Sequence, residues 1–496
     1  MLKNYLALVG LQGVGAVLAV AFLALVAVAV TPQTFGTFSL ALSVAQIVAT
    51  IGLAWTNSAL LRFAREEIGA GGTMGTALGS RLLIQAVLLL IIVPLLVAAR
   101  RPIEAAVGLD PGSLRLIILA LFVISLFEMG TYAAQAVERF SAYGIGPVIL
   151  KLAQIATLGL FLLGVANDWQ ALMIGTIAGY GIALTLAWRQ IPRATLGRIR
   201  ATARQLRRIL AYSWAVPMGS VGGVLVIWMD LWFLRFFADL ETVGVYAWAY
   251  SVALFASALF VPLGAVIAPR IIDLRVNGDT AGLQSYARAA ASLFFLAASV
   301  TPVALAAAIA LFWLANLGTY QAALAPLLVL LAATLFQLLA YLINPVLSAF
   351  ERLMPRVAAI SLVIAVVNAG GNWFLIGPLG VLGPAIATAV AFGAGAALML
   401  LLAVRATPVR RSFPATPVLV AGAVLVALAA AVAALPPGLA IAACLVIAIA
   451  ATMIARQAGA YRGMAYLAPL VASFPAALAR PVRRAIGWLD NTPVLG

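Results

Sequence analysis

Two carboxylates lie inside long apolar stretches, where an ionisable side chain is expensive to place. Glu128 and Asp230 are each flanked on both sides by hydrophobic residues. A charged carboxylate at mid-membrane costs at least about 2.5 kcal/mol, so such groups are functional candidates by default. The chemistry open to them is reversible binding of a proton or a cation, and both are candidates for ion coupling. For Asp230, a purely structural pair with Arg235 is the alternative.

Polar side chains recur at helical spacing in three apolar stretches, and each set falls on one narrow face. A polar group that faces lipid costs several kcal/mol unless it is paired, so these faces should point into protein or water. Three such faces favour a hydrated, substrate-binding cavity over hydrogen bonding between helices, which stays the alternative. The candidate binding residues are Gln46, Thr50 and Asn57 on the first face, Gln135 on the second, and Gln337, Tyr341 and Asn344 on the third.

Arginines follow two of these faces and add a possible anion site. Arg139 and Arg352 stand in the similar segments Ala136–Phe140 and Ala349–Leu353. Because a guanidinium binds phosphate through paired hydrogen bonds, both are candidate substrate-binding residues. The densest basic segment, Arg189–Arg208, holds seven arginines. An interfacial helix on anionic lipid is the favoured interpretation of that segment, and capture of a phosphorylated substrate is the alternative.

The composition excludes most soluble enzymes. Of the 496 residues, 65% are hydrophobic and only 9% are charged, with a mean hydropathy of +1.15, whereas soluble proteins carry about 25% charged residues. There is no histidine and one cysteine, Cys444, and neither Lys3 nor Lys151 follows a glycine. A phosphate-binding loop is therefore absent, and we expect no metal site and no cofactor. The sequence indicates a polytopic membrane protein that does not hydrolyse ATP.

Windows of about 20 apolar residues predict fourteen membrane spans. With the N-terminus inside, the inner segments hold 26 of the 30 lysines and arginines and the outer loops hold 4. This asymmetry follows the positive-inside rule and predicts cytoplasmic N- and C-termini. The net charge of +16 is then explained by the basic residues of the cytoplasmic segments, and no nucleic-acid partner is needed to explain it. The predicted spans are Tyr5–Val30, Phe38–Leu61, Leu82–Ala99, Leu116–Gln135, Gly144–Val165, Gln170–Trp188, Leu210–Phe233, Val243–Ala268, Ala289–Trp313, Ala323–Asn344, Val357–Ile376, Val381–Ala403, Val418–Leu435 and Leu439–Ala455.

An internal repeat divides the first twelve spans. Thr34–Ala45 and Thr242–Ala253 share six of twelve residues at an offset of 208, including Gly36 and Gly244. Chance similarity between alanine-rich spans is the alternative. We expect an all-α polytopic membrane protein of about 14 transmembrane helices, with two six-helix lobes in parallel repeat plus a C-terminal helix pair. The predicted parts are residues 1–188 and 210–403 as lobes, 189–209 as a basic cytoplasmic linker, 404–455 as the helix pair, and 456–496 as a cytoplasmic interfacial tail.

Several short segments carry a family resemblance. They are Pro32–Gly36, Arg62–Phe63, Asp230 with Val243–Tyr246, Glu351–Arg352 and Leu375–Thr388. In their order and spacing the chain resembles the multidrug/oligosaccharidyl-lipid/polysaccharide exporter superfamily, and within it the bacterial polysaccharide-repeat (O-antigen type) flippases. A departure is Leu231, which stands where the family often has a basic residue after the aspartate.

The resemblance implies two six-helix lobes around a central cavity. It also implies movement of an undecaprenyl-pyrophosphate-linked oligosaccharide across the bacterial inner membrane, by alternating access and without covalent chemistry. The implied partners are this lipid-linked substrate, membrane lipids, and the polysaccharide polymerase and chain-length machinery. Two alternatives stay open: a cation-coupled multidrug or metabolite antiporter of the same superfamily, and a membrane glycosyltransferase or polymerase. The last would need a larger outer loop than Arg100–Arg115 provides.

Overall fold

The computed structural model describes residues 2–139, 141–214, 216–258, 260–411 and 413–464, together with residues 487 and 489. Within them the chain is helical and has no strand, and eleven helical segments are long and apolar enough to cross a membrane. Each of the fourteen predicted spans overlaps one or more helices, and the all-α polytopic membrane fold is confirmed. Most of the predicted tail, residues 456–496, lies outside the described residues. The helices are α1 (Leu2–Ala29), α2 (Pro32–Ile47), α3 (Asn57–Gly71), α4 (Gly75–Ala98), α5 (Arg100–Val107), α6 (Leu114–Ala136), α7 (Ser141–Leu162), α8 (Trp169–Arg189), α9 (Arg193–Leu196), α10 (Ala203–Ser213), α11 (Val216–Phe237), α12 (Leu240–Ala258), α13 (Val261–Val276), α14 (Thr280–Ala315), α15 (Leu324–Ser348), α16 (Met354–Leu379), α17 (Leu382–Ala406), α18 (Ala415–Val432) and α19 (Pro437–Gln457).

Two spans have other ends than the sequence predicts. The seventh span is expected to begin at Leu210, but Leu210 belongs to the amphipathic helix α10, and the span itself is α11. The eighth is expected to reach Ala268, whereas α12 ends ten residues earlier and α13 follows. Pro262, in the first turn of α13, explains this second break. Proline lacks an N–H and its ring clashes with the carbonyl four residues earlier, so it begins helices and does not continue them.

The chain forms two compact units, Met1–Phe255 and Ala256–Gly496. The first unit contains α1 to α11 and most of α12, and the second contains α13 to α19. The helices α11 and α12 belong to the first unit because they contact α1 and α2, as described below. The predicted lobes were defined by the internal sequence repeat and not by contacts. Their boundary at residues 189–209 therefore stays a prediction.

The second span is not one continuous α-helix. Between α2 and α3 it contains a π-helical segment, Val48–Leu53, and a 3-10 segment, Ala54–Thr56. A π-helix is wider than an α-helix and a 3-10 helix is tighter, so side chains beyond the break are rotated away from a regular 100° spacing. The polar face predicted for this span is therefore interrupted between Gln46 and Asn57. Such π-helical turns occur frequently at functional sites.

The basic segment 189–209 is packed against the start of α4. A Cβ on Gly75 would overlap the carbonyl oxygen of Arg198, and one on Gly79 would lie 2.6 Å from the backbone of Arg200. The Arg200 amide donates to the Gly75 carbonyl at 3.2 Å. The absence of side chains at these two glycines lets the segment approach the helix backbone, which fixes the segment to the first unit.

Helix α15 is central to the second unit. In its most apolar window 72% of the residues are buried, against 17% for α19. Leu339 on α15 belongs to one core cluster with Phe294 of α14 and Leu400 of α17. The Tyr286 hydroxyl of α14 donates to the Leu342 carbonyl of α15 at 2.6 Å. This core holds the third predicted polar face in a fixed position.

Candidate functional site

A buried arginine on α4 is the centre of a polar cluster in the first unit. Arg81 is 0% exposed, and its Nη2 donates to the Leu53 carbonyl at 2.7 Å and to Asn57 Oδ1 at 3.0 Å. The Asn57 backbone N–H donates to the Ala54 carbonyl. In a regular α-helix it would donate to the Leu53 carbonyl, four residues earlier, which is thus left for Arg81. The break in the second span thus provides an acceptor for a charge that would otherwise be costly to bury.

Four buried polar atoms in this region have no hydrogen-bond partner among the described residues. They are Arg81 Nη1, Thr56 Oγ1, Asn57 Nδ2 and Gln85 Oε1. The other side of Gln85 is paired, because its Nε2 donates to Ser125 Oγ at 2.8 Å. Buried polar atoms are nearly always satisfied by protein or by ordered water. A group of four unsatisfied atoms is therefore a place where water or a polar ligand group is expected.

Glu128 on α6 is the acidic group whose charge acts on Arg81. It also interacts electrostatically with Tyr180, whose hydroxyl accepts a hydrogen bond from Gln46 Nε2 at 3.3 Å. The structure thereby brings three predicted site residues, Gln46, Asn57 and Glu128, into one region. We define the Arg81 cluster as Gln46, Asn57, Arg81, Gln85, Glu128 and Tyr180.

Lys151 on α7 is a second cation inside the helices of the first unit. Its Nζ lies 4.5 Å from the centre of the Phe22 ring and 5.2 Å from that of Phe255, and donates to Gln154 Oε1 at 2.8 Å. The predicted inner charges include Arg81, just before the third predicted span, and Lys151, near the start of the fifth. The structure places both within helices, so 24 charges remain on the inner side of the predicted topology. Sequence reasoning missed them as site residues. The available signal was a glutamine one helical turn after each, at positions 85 and 154.

Asp230 on α11 is 0% exposed and accepts a hydrogen bond from the Tyr246 hydroxyl of α12 at 2.5 Å. Its charge also acts on Tyr250, which stacks on Tyr246 with ring centres 5.8 Å apart. Arg235, the partner considered from the sequence, donates through Nε to the Ala106 carbonyl at 2.8 Å. The surroundings of this carboxylate are thus tyrosine hydroxyls, and its role in ion coupling stays a prediction.

The first polar face makes contacts between helices. Trp232 Nε1 of α11 donates to Ser43 Oγ at 3.0 Å, and Ser43 is fully buried. Trp248 Nε1 of α12 donates to the Leu23 carbonyl of α1 at 2.8 Å. The bonds of Ser43 to Trp232 and of Gln46 to Tyr180 favour the helix-pairing alternative for this face in the present conformation, whereas the bond of Trp248 joins α12 to α1 and does not involve the face.

The third polar face lines a cavity in the second unit. Gln337, Tyr341 and Asn344 of α15 border a space of about 300 Å³, together with Ser361 of α16 and Phe392 of α17. A space of this size accepts water or a small polar group. All three predicted binding residues of this face border the same space, while its hydration and its role in binding stay predictions.

Four predicted binding residues have other surroundings. Thr50 is half-buried in the π-helical segment, and Gln135 is half-buried near the end of α6. Helix α6 ends one residue after Gln135, and Glu138 has a positive φ of 62°, so the exposed Arg139 lies beyond the helix and does not continue its polar face. Arg352 is also exposed, and its Nη2 donates to a carbonyl at the end of α17 at 3.3 Å. Their part in binding stays a prediction.

The two glycines paired by the sequence repeat contact each other. A Cβ on Gly36 would overlap the Leu240 carbonyl oxygen, and a Cβ on Gly244 would overlap the Pro32 carbonyl oxygen. The same offset of 208 relates Pro32 to Leu240 and Gly36 to Gly244. Each helix start therefore touches the other in the same way, as in a contact with local two-fold symmetry. This reciprocity supports the repeat over chance similarity.

Comparisons with known proteins agree with this architecture. Residues 1–275 match the family described as polysaccharide biosynthesis protein, and no curated protein sequence matches the chain significantly. The solved structure of the lipid II flippase MurJ in an inward closed conformation is similar, with a TM-score of 0.65 and 14% identity over 92% of this chain and 99% of that one. The inward-facing structure of a multidrug resistance MATE family transporter of the MOP superfamily is similar with a TM-score of 0.56 and 15% identity, over 84% of this chain and 95% of that one. The Vibrio cholerae MATE transporter VcmN in the bent form has a TM-score of 0.52 and 14% identity, over 86% of this chain and 98% of that one.

Proposed function

Because the chain belongs to the polysaccharide biosynthesis protein family, we propose that it flips a lipid-linked oligosaccharide across the bacterial inner membrane. The substrate is an undecaprenyl-pyrophosphate-linked repeat unit used in surface polysaccharide biosynthesis. It moves from the inner to the outer leaflet by alternating access, and the protein makes or breaks no covalent bond. The N- and C-termini are cytoplasmic in this proposal, because most basic loop residues lie on that side.

The observation that carries the proposal is the buried guanidinium of Arg81 with donors left unsatisfied around it. Arg81 Nη1 and Asn57 Nδ2 can only donate hydrogen bonds, so they suit an anion or a sugar oxygen, and Gln85 Oε1 and Thr56 Oγ1 can accept from sugar hydroxyls. Burying such a charge in spans is costly and typical of substrate pathways in membrane proteins. Lys151 adds a second cation in the same unit. A diphosphate head group needs fixed cations of this kind.

Arg81, Asn57 and Gln85 are buried in the present conformation, and alternating access explains how a substrate reaches them. The crossing of α2 and α12 at Gly36 and Gly244 lies at the outer ends of these helices in the proposed orientation. Trp232 ties α11 to Ser43 of α2, and Trp248 ties α12 to α1. We interpret this conformation as one with the outer side closed, so that transport requires these contacts to separate.

The test combines deletion of the gene with complementation by variants. Deletion should cause a lipid-linked oligosaccharide to accumulate in the inner leaflet, and the wild-type chain should remove it. Arg81→Ala should fail to do so at equal membrane abundance, and Arg81→Lys should restore only part of the flux because lysine lacks the forked donor geometry. The matched control is Arg115→Ala, which removes an exposed arginine. Full flux in Arg81→Ala would show that Arg81 does not take part in substrate binding.

Deletion without accumulation would refute flipping altogether. If the same deletion instead increased sensitivity to cationic drugs, the antiporter alternative would replace the proposal. A cavity built for cationic drugs would favour acidic and aromatic groups. Drug sensitivity measured in the same strains therefore separates the two functions.

A further inference from the structure

A cavity of about 720 Å³ in the second unit is unrelated to the polar faces. It lies between the first part of α14, the residues that begin α18, and the turn after α19. Its lining includes two arginines and two serines together with apolar residues. Those used below are Arg288, Arg462, Ser285, Ser292, Phe295 and Pro417.

The turn after α19 is anchored on α14, so the cavity has a fixed wall. The Gly463 amide donates to Ser292 Oγ at 3.0 Å, and the buried Tyr461 hydroxyl pairs with Ser299 Oγ at 2.8 Å. A Cβ on Gly463 would lie 2.5 Å from the Arg288 carbonyl oxygen, so only glycine permits this approach. The anchored turn places Arg462 and Arg288 on the same cavity.

One of the two arginine side chains is held by a hydrogen bond, and the other lies beside a glycine. Arg288 Nη2 donates to Ser285 Oγ at 3.1 Å. Gly459, with φ of +67°, follows the end of α19, and a Cβ there would lie 2.6 Å from Arg462 Nε. The guanidinium of Arg462 therefore lies over the glycine. The hydrogen bond of Arg288 reduces the side-chain freedom that this residue loses when an anion binds.

The charge of this cavity is one-sided. Two guanidinium groups border it, and the lining residues that the structure describes include no aspartate or glutamate. Like charges that share a cavity repel unless an anion joins them. A single phosphate accepts hydrogen bonds from two guanidinium groups and removes that repulsion.

The position of the cavity favours a lipid as the source of this phosphate. Arg288 directly precedes a predicted span, Arg462 follows another shortly after its end, and the lining residues Phe295 and Pro417 are apolar. Basic pockets between helices at the cytoplasmic membrane surface bind anionic lipid head groups. We propose that this cavity binds the phosphate head group of an anionic phospholipid from the inner leaflet. The proposal uses the orientation given above but no step of transport.

The experiment measures phospholipid binding to the full-length protein. Wild type and variants are purified, titrated with phosphatidylglycerol or phosphatidylcholine, and analysed by native mass spectrometry. Arg288→Ala and Arg462→Ala should each weaken phosphatidylglycerol binding about fivefold, and the double variant about twenty-fivefold. The matched control is Arg356→Ala, another exposed arginine on the proposed inner side, which should bind as the wild type does.

Several results would overturn the proposal. One is a double variant that binds phosphatidylglycerol as tightly as the wild type. Equal affinity of the wild type for phosphatidylcholine would also count against it. Displacement of phosphatidylglycerol by equimolar inorganic phosphate would assign the site to a free anion. Thermal unfolding provides a second readout, since a bound lipid stabilises the wild type but not the double variant.

Discussion

At the scale of single residues, Arg81 is the most informative side chain. It uses Asn57 and the Leu53 carbonyl as acceptors, and its charge interacts with that of Glu128. Hydrogen bonds from a charged group contribute about 1.5–3 kcal/mol each to stability, and a buried acceptor left without a donor adds a further penalty. Arg81 therefore belongs to the structure of the first unit as well as to the proposed site.

Arg81→Ala should lower the free energy of unfolding by about 3 kcal/mol or more, because Asn57 Oδ1 and the Leu53 carbonyl lose their donor and Glu128 loses its nearby charge. In a double-mutant cycle, Glu128→Gln should be less harmful in the Arg81→Ala background than in the wild type. Thermal unfolding in detergent measures both effects, with Arg115→Ala as control. Additive changes would show that the two charges do not interact.

Asp230 gives a second prediction at this scale. Asp230→Asn keeps the shape of the side chain but removes its charge, and Tyr246→Phe removes the hydrogen bond to it. If Asp230 couples transport to an ion, Asp230→Asn should abolish the response of transport to an imposed proton or sodium gradient. Tyr246→Phe should shift that response without abolishing it. Unchanged, gradient-dependent transport by both Asp230→Asn and Glu128→Gln would exclude carboxylate coupling.

At the scale of the element, the sequence predicts helices better than their interruptions. A run of about 20 apolar residues can cross a membrane only as a helix, so all fourteen spans were predictable. The break at Val48–Thr56 was not, because π and 3-10 turns depend on partners such as Arg81 that come from another helix. For the same reason the regular helical spacing predicted for the second span is interrupted beyond Gln46, although Asn57 still lies in the Arg81 cluster with Gln46. The third face lies on the continuous helix α15, and its three predicted residues border one space, while their part in binding stays a prediction.

The crossing of α2 and α12 yields a prediction for these two elements. A Cβ at Gly36 or Gly244 would overlap a backbone carbonyl, so Gly36→Ala or Gly244→Ala should destabilise the closed crossing and increase the population of open states. The control is Gly181→Ala on α8, where nothing lies within 4 Å of the new Cβ. Alanine there should be neutral or slightly stabilising.

A single introduced cysteine measures this shift. Cys444 is the only native cysteine, so Cys444→Ala gives a background without thiols. Ser39→Cys, on the buried side of α2, should react faster with a membrane-impermeant thiol reagent in the Gly244→Ala protein than in the parent. Equal rates in the two proteins would mean that the crossing does not control access from the outside.

At the scale of the whole molecule, charge predicts orientation. With Arg81 and Lys151 placed inside helices, 24 basic residues remain on the inner side against 4 on the outer side. This bias is large enough to set the topology of a polytopic protein. The division into lobes is harder to predict, because residues far apart in the sequence, such as Trp232 and Ser43, make contact within the first unit.

Orientation is testable in the same cysteine-free background. Asp110→Cys and Asn277→Cys introduce thiols at two exposed positions between helices. In intact spheroplasts the first should react with an impermeant reagent, and the second should react only after the membrane is permeabilised. The opposite pattern would invert the orientation and would place the proposed lipid site on the outer surface.

The reciprocal glycine contact has an evolutionary consequence. The atom opposing each glycine is a main-chain carbonyl, which every residue type possesses, so no replacement at Pro32 or Leu240 can make room for a larger side chain. In homologous sequences that keep this crossing, both glycines should therefore be invariant, without compensating changes at the positions they touch. Covariation methods, which detect only pairs that change together, should overlook one of the tightest contacts of the first unit.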